Sequence, residues 1–173
     1  MCVRGTGTPW HEATEEHAKA SLERFRTEWA KYLRGDLPVK DDTDVTAADI
    51  AERHLILFGD PGSNRLIEQV LPGLPLKWTK KEITLGGKGY DGAKHVPVLI
   101  YPSPLGGGAA RYVVLNSGHT FHARDFEGTN ALLYPRLGDY AVLKLPEPGA
   151  ADPLAATVAT AGLFDDDWRF PAK

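Results

Sequence analysis

One cysteine, Cys2, stands in a chain of 173 residues. No disulfide can form within it, and the cysteine-rich zinc motifs are excluded. No apolar run approaches the ~18 residues that a membrane-crossing helix needs. The opening MCVRGTGTPWHE has no apolar stretch behind Arg4, so it does not read as a secretory signal. A basic excess is also lacking. A formal charge of −3 leaves no electrostatic footprint for nucleic acid, and membrane insertion is not expected. The strand-to-helix turn GDPGSN is no cofactor motif either: it lacks the Gly-Lys-Ser/Thr of a P-loop and the G-x-G-x-x-G spacing of a dinucleotide fingerprint. No cofactor is therefore expected. Low-complexity tracts are missing as well, and localisation stays open. The chain reads either as a cytosolic protein or as a piece of a longer one, and its abrupt start favours the second.

What is there suits one domain over 1–173, with 42% apolar and 25% charged residues and enough length to bury a core. The 18 Gly and 13 Pro mark tight turns. From Pro9 onward Ala18, Leu22, Phe25, Trp29, Tyr32 and Leu33 recur at steps of three and four. This predicts a long packing helix over 9–34, with Thr8 as N-cap, Pro9 at the first helical position and Gly35 ending it. Thr46 with Asp49 resembles a capping box that opens a short helix to Arg53. A strand over 54–58, a turn over 59–63 and a helix over 64–71 form the next unit. LPLKWTKKEITLGGKGYDG breaks at Gly86-Gly87 and predicts two short strands or a hairpin at a sheet edge.

VPVLIYPSP and RYVVLNSG are continuous β-branched runs of the kind buried on both faces of a sheet, joined as a hairpin or through a wider loop. NALLYPRL reads as partly helical and YAVLKL as a strand. The segment 146–173 starts like a helix at Asp152-Pro153 and carries Leu163, Phe164, Trp168 and Phe170, so it is expected to dock on a body. Interleaved strands and helices predict a single three-layer α/β domain with a mostly parallel central sheet, Rossmann-like or flavodoxin-like. In such sheets ligands bind beyond the carboxyl ends of the strands.

Two turns lie at such ends. In the first, Gly59, Asp60, Gly62, Ser63 and Asn64 offer backbone N–H groups for a small polar ligand. The alternative, with Asp60 or Ser63 merely capping the following helix, is the stronger reading. The second turn groups Asn116, Ser117, His119, Thr120 and His122. Ser117 with His119 is a weak catalytic candidate, because Leu115 and His119 occupy the glycine positions of a nucleophile elbow. His119, His122 and Asp125 are weak metal-ligand candidates at three-residue steps. The acidic pieces KDDTD and FDDDW lack a calcium-loop frame and read as solvated loop charge. If the two preceding strands are parallel neighbours, the turns face each other across a pocket.

GTGTPWHE, LPVKDDTDVT, LILFGDPGSNRLI, LPLKWT, PVLIYPSPL, YVVLNSGHTF, DYAVLKL and AGLFDDDWRFP, in this order, resemble the C-terminal α/β domain attached to bacterial hydrolases of the α/β-hydrolase or prolyl-oligopeptidase-like kind. The likeness covers about Gly5 to Pro171. It implies a non-catalytic accessory or ligand-binding module whose partner is the catalytic domain of a longer parent chain, or else a small polar ligand. In those parents the serine-hydrolase machinery lies in the preceding domain, so no catalytic residue carries over, and many of them are exported. The alternatives are a small stand-alone hydrolase with a Ser117/His119 cleft and, third, a metal-binding module.

Overall fold

The computed structural model describes residues 1–106, 111–118 and 137–171. Ten strands alternate with three α-helices: β1 (Cys2–Arg4), α1 (Glu12–Leu33), β2 (Val39–Asp41), α2 (Ala47–Glu52), β3 (Leu55–Phe58), α3 (Arg65–Val70), β4 (Leu76–Trp78), β5 (Glu82–Leu85), β6 (Lys88–Asp91), β7 (His95–Pro102), β8 (Tyr112–Leu115), β9 (Tyr140–Lys144) and β10 (Thr157–Gly162). Seven strands form one sheet in the order β10-β9-β7-β8-β3-β1-β2, and β4-β5-β6 form a second. Among the described residues no helix is long and apolar enough to cross a membrane.

The expected three-layer, mostly parallel Rossmann-like or flavodoxin-like domain is not what forms. β2, β1, β3 and β8 pair in parallel, but β8-β7, β7-β9 and β9-β10 are antiparallel, and the second sheet is wholly antiparallel. Two of the three helices are only six residues long. The physical reason is that a continuous apolar run reports burial on both faces and says nothing about direction. The link between β7 and β8 is shorter than the dozen residues that a parallel crossover requires, so the chain can only turn back.

Pro97 illustrates how the central antiparallel strand tolerates an imino acid. Ile100 N–H donates to Asp139 O and Leu145 N–H to Lys94 O, so the even residues of β7 face β9. Pro97 therefore faces the β8 side, where the ladder has stopped at Leu99 opposite Leu115. Its missing N–H costs nothing there.

Helix α1 is shorter than expected at its start. His11, extended at φ −142° and ψ 137°, holds the N-cap position without a side-chain bond to the helix's first N–H groups, its Nε2 lying on Lys80 O instead, and Glu12 and Glu15 supply the negative charge that a helix start favours. Arg34 in the left-handed conformation, not Gly35, ends the helix. Its inner face carries Ala18, Leu22 and Phe25, which pack on Cys2 and Phe58, with Trp29 beside Ile56 at the margin. Leu33 points to solvent, 49% exposed. On the opposite face of the same strands, Val3, Leu55, Leu57, Val113 and Leu115 pack with Leu66, Ile67 and Val70 of α3 and with Trp78, Ile83 and Leu85 of the small sheet. The β5-β6 turn at Gly86-Gly87 is the anticipated hairpin, with positive φ at both glycines.

The helix expected from Asp152-Pro153 is absent. The Asp152 side chain accepts from Leu154 N–H and its carbonyl from Ala155 N–H, which makes a turn, and the β-branched Thr157, Val158 and Thr160 then extend as the edge strand β10. Its register against β9 shifts between Val158 and Thr160. Beyond it Phe164, Trp168 and Phe170 dock on this chain's own Tyr101, Tyr112 and Tyr140, with ring centroids 5.0 to 5.8 Å apart.

Candidate functional site

β3 and β8 are parallel neighbours, so the turns that follow them do meet. They meet by bonding to each other. Asn116, left-handed at φ 49°, is 3% exposed, and its side-chain oxygen accepts from Gly59 N–H at 2.9 Å while its Nδ2 donates to Gly59 O at 2.9 Å. Its own N–H donates to Leu57 O. The amide therefore fills the space where a ligand was expected.

The other polar groups of the first turn are turned inward in the same way. Asp60, 1% exposed, accepts from Gly62 and Ser63 N–H through Oδ1 and from Trp10 N–H through Oδ2 at 2.7 Å. Ser63 Oγ accepts from Asp60 N–H. Neither caps the helix. Asn64 does, accepting from Leu66 and Ile67 N–H while its Nδ2 donates to Phe58 O and Val3 O. Gly59 has φ 117°, and a Cβ there would collide with the Ser63 hydroxyl; a Cβ on Gly62 would strike the Trp10 ring. The loop after β1 thus lies directly on the turn after β3, sealed by Gly7 N–H on Ser63 O.

Of the second turn, Ser117 is half-buried and its hydroxyl donates to Gly118 O at 3.4 Å. His119, Thr120, His122 and Asp125 lie outside the described residues. Among the described residues no group of three or more His, Cys, Asp or Glu side chains is placed to hold a metal ion.

Some structural roles were not, or only partly, legible in the sequence. Asp42, read as solvated loop charge, is 3% exposed and receives the Thr6 hydroxyl, Thr6 N–H and Arg65 N–H. Burial alone would raise its carboxyl; the Arg65 N–H and the Thr6 donors outweigh that and hold it below the ordinary value. Asp49 is held far lower, first by the Lys40 ammonium at 2.7 Å and then by the Thr46 N–H and hydroxyl. Burial pushes the Cys2 thiol up to about 12, so it is inert at neutral pH.

Beside them stands a serine-imidazole pair that no motif announced. His17 Nδ1 donates to Pro153 O at 3.1 Å, which leaves Nε2 to accept from Ser21 Oγ at 3.4 Å. A nucleophile and its base would share that order of bonds. Here both residues are buried, and the adjoining cavity of about 20 Å³ has room for a water and not for a substrate. The pair fastens a strap: with Glu16, whose carboxylate accepts from Gly149 N–H, it ties the β9-β10 connection to α1.

Open space instead flanks α1. Towards β2 lies a cavity of about 310 Å³ under Ala18, Leu22 and Phe58. Towards β8 and β7 lies an apolar groove of about 610 Å³ lined by Phe25, Trp29, Ile56, Val98, Ile100 and Val114. Leu163, 61% exposed, stands at its margin. Comparison with protein-family models, with curated proteins and with solved structures finds no match to this chain.

Proposed function

We propose that this chain is a non-catalytic accessory module of a hydrolase-type protein, and that it docks on the catalytic domain through the groove between α1 and the β7-β8 face. The observation that carries this reading is the contrast between the two kinds of surface. The polar side chains of the β3 turn and Asn116 are spent on internal bonds, whereas Ile56, Ile100 and Val114 line an open apolar groove beside Trp29 and Leu163. Half-buried apolar side chains gathered in one groove, with the exposed Leu163 at its margin, suit a protein contact. The sequence resemblance supplies the class of partner.

Two assays on the purified chain test it. Turnover of p-nitrophenyl butyrate or glycyl-prolyl-p-nitroanilide should not exceed that of Ser117→Ala; activity lost in that variant would establish the small-hydrolase reading instead. Nile red, an uncharged probe of apolar surface, should bind saturably and lose that binding in Ile100→Lys or Val114→Lys. Binding that neither variant alters removes the groove from the argument.

A further inference from the structure

We propose that a separate cavity, between the β5-β6 hairpin and the aromatic C-terminal segment, binds an amphipathic anion, an apolar body carrying a doubly charged head of the phosphate-monoester kind. It stands apart from the groove beside α1 and does not depend on the docking reading. At about 590 Å³ it falls within the range of small-molecule sites. The two sheets meet around it. Gly86 and Gly87, which turn β5 into β6, form one side, and Tyr140 of β9 with Thr160 of β10 forms the other. Phe170 lies against Tyr140, with ring centroids 5.0 Å apart, and supplies an aromatic wall. Leu74, Leu76 and Leu85, each less than a tenth exposed, make the apolar floor.

The charge on the walls is of one sign. Lys77 and Lys88 line the cavity, and among the described residues no carboxylate does. Neither lysine has an ion-pair partner among the described residues. Elsewhere the pattern is the reverse: Lys19, Arg26 and Lys31 on α1 each pair with a glutamate one turn away, Arg4 with Asp41 and Lys40 with Asp49. The hairpin's own acids do not neutralise the two lysines. The Asp91 carboxylate accepts from Ala93 N–H, and Glu82 leans over Gly89. Lys77 stands opposite Thr84 and Lys88 opposite Leu85, so the two cations rise from the strands on either side of β5, roughly 10 Å apart at the backbone, and one head group between them meets both. The hydroxyls of Thr84, Thr160 and Tyr140 add donors in the same lining. A cleft walled by apolar surface and charge of one sign concentrates ions of the other. Ammonium groups act as point charges without the planar fork that selects a carboxylate, so a doubly charged head gains most here.

Calorimetric titration of the chain with 1-naphthyl phosphate, 1-naphthylacetate and 2-(1-naphthyl)ethanol tests it. The phosphate should bind saturably with Kd of about 1 mM or tighter, the strength expected of a ligand this small. The acetate should bind more weakly than the phosphate, and the alcohol at least about tenfold more weakly. Added salt should weaken the phosphate and not the alcohol. Lys77→Gln and Lys88→Gln, both at exposed side chains, should each weaken the phosphate by about threefold or more and leave the alcohol unchanged. Lys31→Gln removes the same charge from α1, outside the cavity, and should change nothing. Thr160→Trp, which narrows the cavity, should abolish binding of all three while the near-UV circular dichroism shows an intact fold; if that variant does not fold, the lysine arms decide. Absence of saturable phosphate binding, equal affinity for phosphate and alcohol, indifference to either lysine substitution in the hairpin, or an equal loss in Lys31→Gln would each overturn the proposal.

Discussion

Asn116 joins β3 to β8 through one side chain, and its truncation leaves the N–H and C=O of Gly59 buried without partners. Asn116→Ala should cost about 3 kcal/mol, read as a lowered urea midpoint with unchanged slope. Asn116→Asp should cost as much or more, because a carboxylate cannot donate to Gly59 O. His17 makes a different prediction. Burial holds its imidazole below the ordinary value of 6.5, with the Pro153 carbonyl acting in the opposite direction. In the window between the folded value and 6.5 the unfolded chain binds more protons, so stability rises with pH there. It is therefore complete above about pH 7 and falls on acidification through about 6.5. Urea midpoints measured from pH 5 to 8 should show this slope in the native chain and lose it in His17→Gln. These roles were invisible in the sequence because each depends on an atom far along the chain: Asp60 meets Trp10 N–H 50 positions away, and His17 meets Pro153 O 136 positions away.

Local signals were readable where both partners sit within one turn. The box formed by Thr46 and Asp49 closes as its spacing suggests, and the helix begins at Ala47. The start of α1 failed by the same logic: Thr8 and Pro9 have the right chemistry, but Asp60 takes the Trp10 N–H and holds that stretch as a loop. The helix after the Gly-Asp-Pro-Gly turn was anticipated, while its cap was assigned to Asp60 or Ser63 instead of Asn64. This distinction has a measurable consequence. Thr46→Ala should cost about 1 kcal/mol, as an ordinary cap does. Asn64→Ala should cost about 2 to 3 kcal/mol, since its amide also serves two buried carbonyls, of Phe58 and Val3. Parallel urea titrations of the two variants check the order.

At the scale of the molecule, β3, β7, β8 and β9 were legible as apolar runs and their directions were not, while the short β1 and β2 and the polar edge strand β10 carried no such signal. YVVL and VPVLIY look alike on the page, yet β8 runs with β3 and β7 runs against it. The aromatic tail was legible as a docking segment because so many rings in a terminus need a surface; which surface it takes emerges only from the rings of Tyr101, Tyr112 and Tyr140. Truncation after Gly162 strips these tyrosines of Phe164, Trp168 and Phe170. It should lower the thermal midpoint by several degrees, on the order of 1 to 2 kcal/mol for each lost ring contact partner, and broaden the transition seen by calorimetry.

The shifted register in β10 bears on the company this protein keeps with copies of itself. A seven-stranded sheet ends in two open borders, and at one of them β2 is only three residues long. The other border is six residues of small and β-branched side chains, the composition that recruits a stranger's backbone. The irregularity between Val158 and Thr160 breaks the even spacing of its outward N–H and C=O groups, so an incoming strand finds no uninterrupted template. One residue out of step thus lets the sheet stop at seven strands without inviting fibrillar growth.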